Sequence, residues 1–181
     1  LPPDQFKVAA FYSISNCQPG LKGVSLGNFL IKRVAEELKR ELPQLKTFCT
    51  LSPIPGFARW VHAGAPCEGL TKARTERLAQ ARATLLAQCG GDLDTLAHAA
   101  TLRSLGAEAT QALLRLCSFY LGLHSPSTGG DPVARFHLGN GARVERLNWA
   151  ADPSAKGFKQ SYGLMVNYLY DLDKIEAHHE K

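Results

Sequence analysis

Apolar residues run almost unbroken through residues 6–15, FKVAAFYSIS, with aromatic and β-branched side chains among them. Such a run predicts a strand buried on both faces, inside a sheet with a neighbour on each side. The turn-rich stretch NCQPGLKGVSLGN follows, with Gly20, Gly23 and Gly27. Beyond it, Phe29, Ile31, Val34, Leu38 and Leu42 mark the apolar stripe of a helix whose Lys32, Arg33, Glu36, Lys39 and Arg40 face water. Glu36 and Arg40 form an i,i+4 pair, and Pro43 stops the helix. Residues 45–51, LKTFCTL, predict a second strand. The following SPIPGF is a rigid turn, because each proline fixes φ and removes a donor.

The segment FARWVHAG predicts a short helix, and three longer helices follow over 71–89, 93–105 and 108–123. His98, among alanines, reads as a packing residue, and His124 opens a solvated loop over 124–132. Residues 133–149 alternate around Gly139-Asn140-Gly141. Asn-Gly between alternating runs predicts a hairpin, with His137 in its first arm. Residues 163–170, GLMVNYLY, predict a last strand with Tyr168 and Tyr170 on one face, and a frayed helix follows from Asp171. Together these elements form a mixed α/β (α+β) architecture with a helical insertion over about 65–125.

The 181 residues and 19.7 kDa fit one domain, and 45% hydrophobic content supports a core. Lys+Arg exceeds Asp+Glu by 21 to 16, which favours an anionic partner. No apolar run reaches the roughly 18–20 residues of a membrane span, so no membrane partner is expected. Nucleic acid is not expected either. Cys17, Cys49, Cys67, Cys89 and Cys117 contain no CxxC pair, so no metal site is expected, and the thiols read as reduced and intracellular.

Three places have chemical potential. The glycine loop before the first helix offers unpaired N–H groups and the positive end of the dipole, with Lys22 beside them. An ordinary strand–helix connection has the same spacing, and neither a Walker A motif nor GxGxxG occurs. Ser52 ends a strand and enters the proline-locked turn, where a turn-forming or N-cap serine is the plainer reading. No GxSxG elbow is present. His137 lies opposite Phe136 and Leu138 on its predicted arm, where a surface histidine is the plainer reading.

FYSISNCQPGLKGVSLGNFLIKRVAEEL, LSPIPGFARW, DPVARFHLGNGARVERLNWAAD and SYGLMVNYLYDLD, in that order, resemble the malonyl-CoA decarboxylase family. The resemblance is weakest over 65–125. It implies a GNAT-like acyl-CoA-binding sheet, of which 1–181 is the C-terminal part of one catalytic domain. A helical domain and the first strands of the sheet would lie before it, leaving an open edge or face here. The resemblance matches the acyl-CoA loop to Lys22, Gly23, Val24, Ser25, Leu26, Gly27 and Asn28. It matches the catalytic serine to Ser52, the catalytic histidine to His137 and an active-site tyrosine to Tyr170.

The implied reaction turns malonyl-CoA into acetyl-CoA and CO2, with His137 as proton donor and Ser52 holding the carboxylate or relaying the proton. A histidine tuned near neutral pH suits that step. The thioester is the electron sink, so no cofactor beyond the coenzyme A of the substrate is implied. The partners implied are malonyl-CoA, acetyl-CoA and further copies of the protein, joined as a homo-oligomer through the preceding helical domain. The expected location is cytoplasmic, with the mitochondrial matrix or peroxisome as alternatives. Two rivals use the same loop, a GNAT-type acyltransferase and a non-enzymatic acyl-CoA sensor. Gly23→Val is expected to weaken coenzyme A binding, measured by titration calorimetry, because a branched side chain there keeps the backbone from the pyrophosphate. Equal affinity would count against the loop.

Overall fold

The computed structural model of the chain describes residues 2–12, 19, 27–127 and 129–171. The chain divides into two units. One comprises Leu1–Ser52, Phe136–Glu145 and Asn167–Lys181, the other Pro53–Arg135 and Arg146–Val166.

In the first unit, β1 (Val8–Phe11) and β2 (Thr47–Thr50) pair in parallel, with Val8 opposite Thr47 and Phe11 opposite Thr50. Parallel neighbours need a crossover, which contains α1 (Gly27–Glu41). β5 (Met165–Tyr170) runs antiparallel to β2, with Phe48 opposite Tyr170 and Cys49 opposite Leu169. The sheet order is β1-β2-β5-β3, where β3 is Ser52–Pro53, and β4 (Arg143–Asn148) also pairs with β5. The mixed α/β class is as the sequence predicts.

In this unit three details differ from the sequence expectations. Among the described strands β1 has a neighbour on one side only, and it is not buried on both faces: Val8 is 52% exposed and Ala10 is exposed too. On α1 the buried pair is Ile31 and Ala35, one turn apart, while Val34 and Leu42 are exposed. Arg40 pairs with Glu37 rather than Glu36, which pairs with Arg33 at 3.7 Å. Exposed pairs of this kind add little stability.

The second unit is mainly helical: α2 (Phe57–His62), α3 (Lys72–Gln88), α4 (Ala99–Ser104), α5 (Ala107–Phe119) and α7 (Ala155–Ser161). α3 packs on α5, burying Leu78, Ala81 and Leu85 with Ala109, Leu113 and Leu116. The helix expected over 93–105 is split. Asp92 accepts the Asp94 N–H and starts a 3-10 turn over Leu93–Ala97, and His98 then adopts an extended conformation before α4. His98 is exposed rather than packed. His124 is not a solvated loop residue, since its ring lies 5.6 Å from Trp60 and 5.5 Å from Tyr120.

The largest correction concerns His137. Residues 133–138 are not a hairpin arm but part of α6 (Pro132–Gly139). Asp131 Oδ1 accepts the N–H groups of Val133 at 2.9 Å and Ala134 at 3.0 Å, which caps the helix. Pro132 occupies the first helical position, where its missing N–H costs nothing. Asn140-Gly141 ends the helix instead of turning a hairpin. Gly141 takes φ +80°, and the Ala142 N–H donates to the His137 carbonyl at 3.1 Å. The strand expected after it does form, as β4.

Asp131 is 1% exposed, and its Oδ2 accepts the Gly56 N–H at 3.2 Å and the Tyr120 hydroxyl at 3.3 Å. A Cβ on Gly56 would collide with that hydroxyl, so the turn after Ser52 needs glycine there. Asp131→Ala is expected to cost roughly 2–4 kcal/mol in urea unfolding, because it uncaps a helix and leaves buried donors unmet. Asp131→Asn, which keeps an oxygen for the cap, is expected to cost less.

Candidate active site

Ser52, His137 and Tyr170 are 85 and 33 residues apart in sequence, and the first unit brings them together. Thr50 ends β2 with its side chain buried, and Ser52 lies two residues on, also buried. The Ser52 hydroxyl donates to Thr50 Oγ1 at 2.8 Å, and Thr50 Oγ1 accepts the Tyr168 N–H at 3.2 Å. His137 lies in the last turn of α6 and is 3% exposed. Its Nε2 is 3.3 Å from Ser52 Oγ and its Nδ1 is 2.8 Å from the Tyr170 hydroxyl. The Tyr168 ring stacks on the imidazole, with centroids 4.6 Å apart and planes at 24°, and Phe136 meets it edge-on at 5.0 Å. Three aromatic rings therefore hold the histidine, and both of its nitrogens have partners. That is how a buried polar side chain avoids an unmet desolvation cost.

The electrostatics differ from the expected near-neutral histidine. Burial lowers the His137 pKa to about 4, so the ring is neutral at pH 7. Burial raises the Tyr170 hydroxyl pKa, and a hydrogen bond from the Asn140 side chain partly offsets this.

Of the expected loop, Lys22, Gly23, Val24, Ser25 and Leu26 lie outside the described residues. Gly27 and Asn28 are the first two residues of α1. A separate cleft of about 480 Å³ is lined by Lys39, Lys46, Phe48, Glu145 and Tyr170 among others; Ser52 and His137 do not line it. Sequence reasoning missed Thr50 and Asn140. Thr50 was findable as the i−2 residue on the strand face of Ser52. Asn140 was hidden by the hairpin assignment; on a helix it stands three residues from His137, on the same side.

A family model described as "Malonyl-CoA decarboxylase C-terminal domain" matches residues 1–181. The chain belongs to the malonyl-CoA decarboxylase family. It is 42% identical over 180 residues to the mitochondrial malonyl-CoA decarboxylase of Rattus norvegicus, covering 94% of this chain and 37% of that protein. The counterpart from Anser anser anser is 39% identical over 179 residues, covering 94% and 36%. The crystal structure of malonyl-CoA decarboxylase from Rhodopseudomonas palustris is 47% identical with a TM-score of 0.71, covering 98% of this chain and 39% of that one. The one from Cupriavidus metallidurans is 44% identical with a TM-score of 0.68, covering 94% and 43%. The chain thus spans less than half the length of these malonyl-CoA decarboxylases. Among its described residues no helix is long and apolar enough to cross a membrane.

The depressed pKa of His137 has a consequence for stability. An unfolded histidine protonates near its ordinary value of 6.5, while the native one holds out to about 4. Between those values the unfolded state takes up a proton that the native state refuses. Stability is therefore full above pH 6.5 and falls as the pH drops to 4, by on the order of 3 kcal/mol. Urea titrations across this window are expected to show that slope, and His137→Gln is expected to flatten it.

Proposed function

We propose that this chain forms the catalytic part of a malonyl-CoA decarboxylase, releasing CO2 from malonyl-CoA to give acetyl-CoA. His137 is the proton donor, and Ser52 holds the carboxylate before it leaves or relays the proton. Tyr170 backs the histidine. The observation that carries this reading is the buried Ser52–His137 contact at 3.3 Å, with the Tyr170 hydroxyl on the far nitrogen.

When the carboxylate leaves, its bonding pair stays on the substrate as a thioester enolate. An enolate is a strong base and takes a proton from a neutral imidazole N–H, so a charged histidine is not required. A neutral ring also suits a site that first receives a carboxylate and then loses that charge, because no imidazolium is left to hold the carboxylate back. Positioned proton transfer of this kind contributes roughly 10²–10⁴-fold. In this reading Lys22 to Asn28 bind the coenzyme A phosphates, with glycines and a lysine in the sequence suited to negative charge.

The test uses the full-length protein, with acetyl-CoA followed by mass spectrometry. Ser52→Ala and His137→Ala are each expected to lower kcat by about 10²–10⁴-fold while malonyl-CoA still binds. Free coenzyme A formed only with an added amine would favour an acyltransferase instead. Unchanged output in both variants would favour a sensor.

A further inference from the structure

A histidine with one proton on Nε2 is an acid toward whatever faces Ser52; with that proton on Nδ1 it is a base there. The same contacts thus suit opposite chemistries, and the tautomer decides between them. We infer that Asn140 makes this choice: its side-chain amide donates to the Tyr170 oxygen, which turns the tyrosine proton onto His137 Nδ1 and leaves the imidazole proton on Nε2. Asn140 is a positioning residue in this scheme, which rests on the reading of His137 as proton donor.

The polarity follows from the fixed donor. An amide nitrogen only donates, so the Tyr170 oxygen accepts from Asn140 and has one proton left to give. Its other neighbour is His137 Nδ1 at 2.8 Å. A neutral imidazole that accepts at Nδ1 has its hydrogen on Nε2, which faces Ser52 Oγ at 3.3 Å. The Ser52 hydroxyl then donates onward to Thr50 Oγ1 at 2.8 Å. Every member of the series has an assigned direction, from Asn140 through Tyr170, His137 and Ser52 to Thr50. The Asn140 bond also favours the ionised form of Tyr170, as a donor to its oxygen must.

During turnover the Nε2–H bond breaks and a C–H bond forms at the substrate α carbon, using the electron pair left by CO2. The Tyr170 proton moves to Nδ1, so the imidazole never holds a negative charge. Tyr170 is left as a phenolate held by the Asn140 amide; water then reprotonates Nε2 and the Nδ1 proton passes back to Tyr170, which restores the starting tautomer. No electrons leave or enter the site.

The tautomer is read from ring ¹⁵N shifts in the intact protein made with labelled histidine, His137 being assigned through the His137→Gln variant. At pH 7 the unaltered protein is expected to show a protonated Nε2 and a bare Nδ1. In Asn140→Asp the carboxylate accepts the tyrosine proton, and the hydrogen of His137 is expected to move to Nδ1. The kcat for malonyl-CoA is then expected to fall about 10²-fold, with KM changed less than ~3-fold. Tyr170→Phe, which removes the Nδ1 donor outright, is expected to abolish the preference for Nε2–H, and it serves if the aspartate variant does not fold. A protonated Nδ1 in the unaltered protein, or an unmoved tautomer in both variants, would overturn the inference. A merely structural Asn140 would lower the melting temperature and leave the ring shifts alone. An unaltered protein that makes no acetyl-CoA counts against the decarboxylase reading, and the ring shifts still decide the role of Asn140.

Discussion

The pairing of Phe48 with Tyr170 sets the face on which everything in the site is built. Side chains alternate along β2 and β5, so Phe48 and Thr50 share a buried face with Tyr168 and Tyr170. A slip of β5 by one residue would send Tyr168 and Tyr170 to the other face and put Leu169 in their place. Thr50 holds the register through both of its ends. Its hydroxyl accepts the Tyr168 N–H, and its carbonyl accepts the Asn167 side chain at 2.6 Å. The same hydroxyl receives the proton of Ser52. One threonine thus locks two strands and aims the serine, a second task on top of its share in the ladder.

The histidine reaches this platform from a helix, and the choice of helix was decided locally. Residues 133–138 alternate well enough for a strand, and Asn-Gly follows them. But an aspartate and a proline stand immediately before, and together they supply a cap and a preset φ. A hairpin arm must find its hydrogen bonds on a partner strand, whereas a capped helix satisfies most of its own. A single left-handed glycine then serves helix termination as well as it serves a hairpin turn.

The strands β2, β4 and β5, the proline turn and the pair Tyr168/Tyr170 were legible because each rests on short-range sterics and side-chain alternation. Ser52 stood out as the end of a strand before a proline-locked turn, whereas Tyr170 entered as a candidate site residue only through the family resemblance. What sequence did not reveal depends on tertiary closeness. Nothing near Asn140 announces a tyrosine thirty residues on. The pKa of His137 is likewise a property of its burial, to which two tyrosines of β5, some thirty residues on, contribute. The stripe on α1 was placed off centre: its apolar face is broad, and packing buries the Ile31 and Ala35 side of it while Val34 stays exposed.

The hydrogen bond between Gly56 and Asp131 joins residues 75 apart, with α2 through α5 between them. Closing such a loop is an entropic problem, and its cost rises only with the logarithm of length, about 0.6 kcal/mol for each doubling. Chain can therefore be gained or lost between α3 and α5 with little thermodynamic effect, provided the two pinned ends still meet. The kinetic effect is larger, since a contact of such long range forms only once the intervening helices have condensed. The Gly56–Asp131 bond is thus a late event in folding, whereas the other oxygen of the same carboxylate caps α6 over two and three residues and needs no such closure, so one side chain joins the fastest and the slowest kinds of contact in the chain.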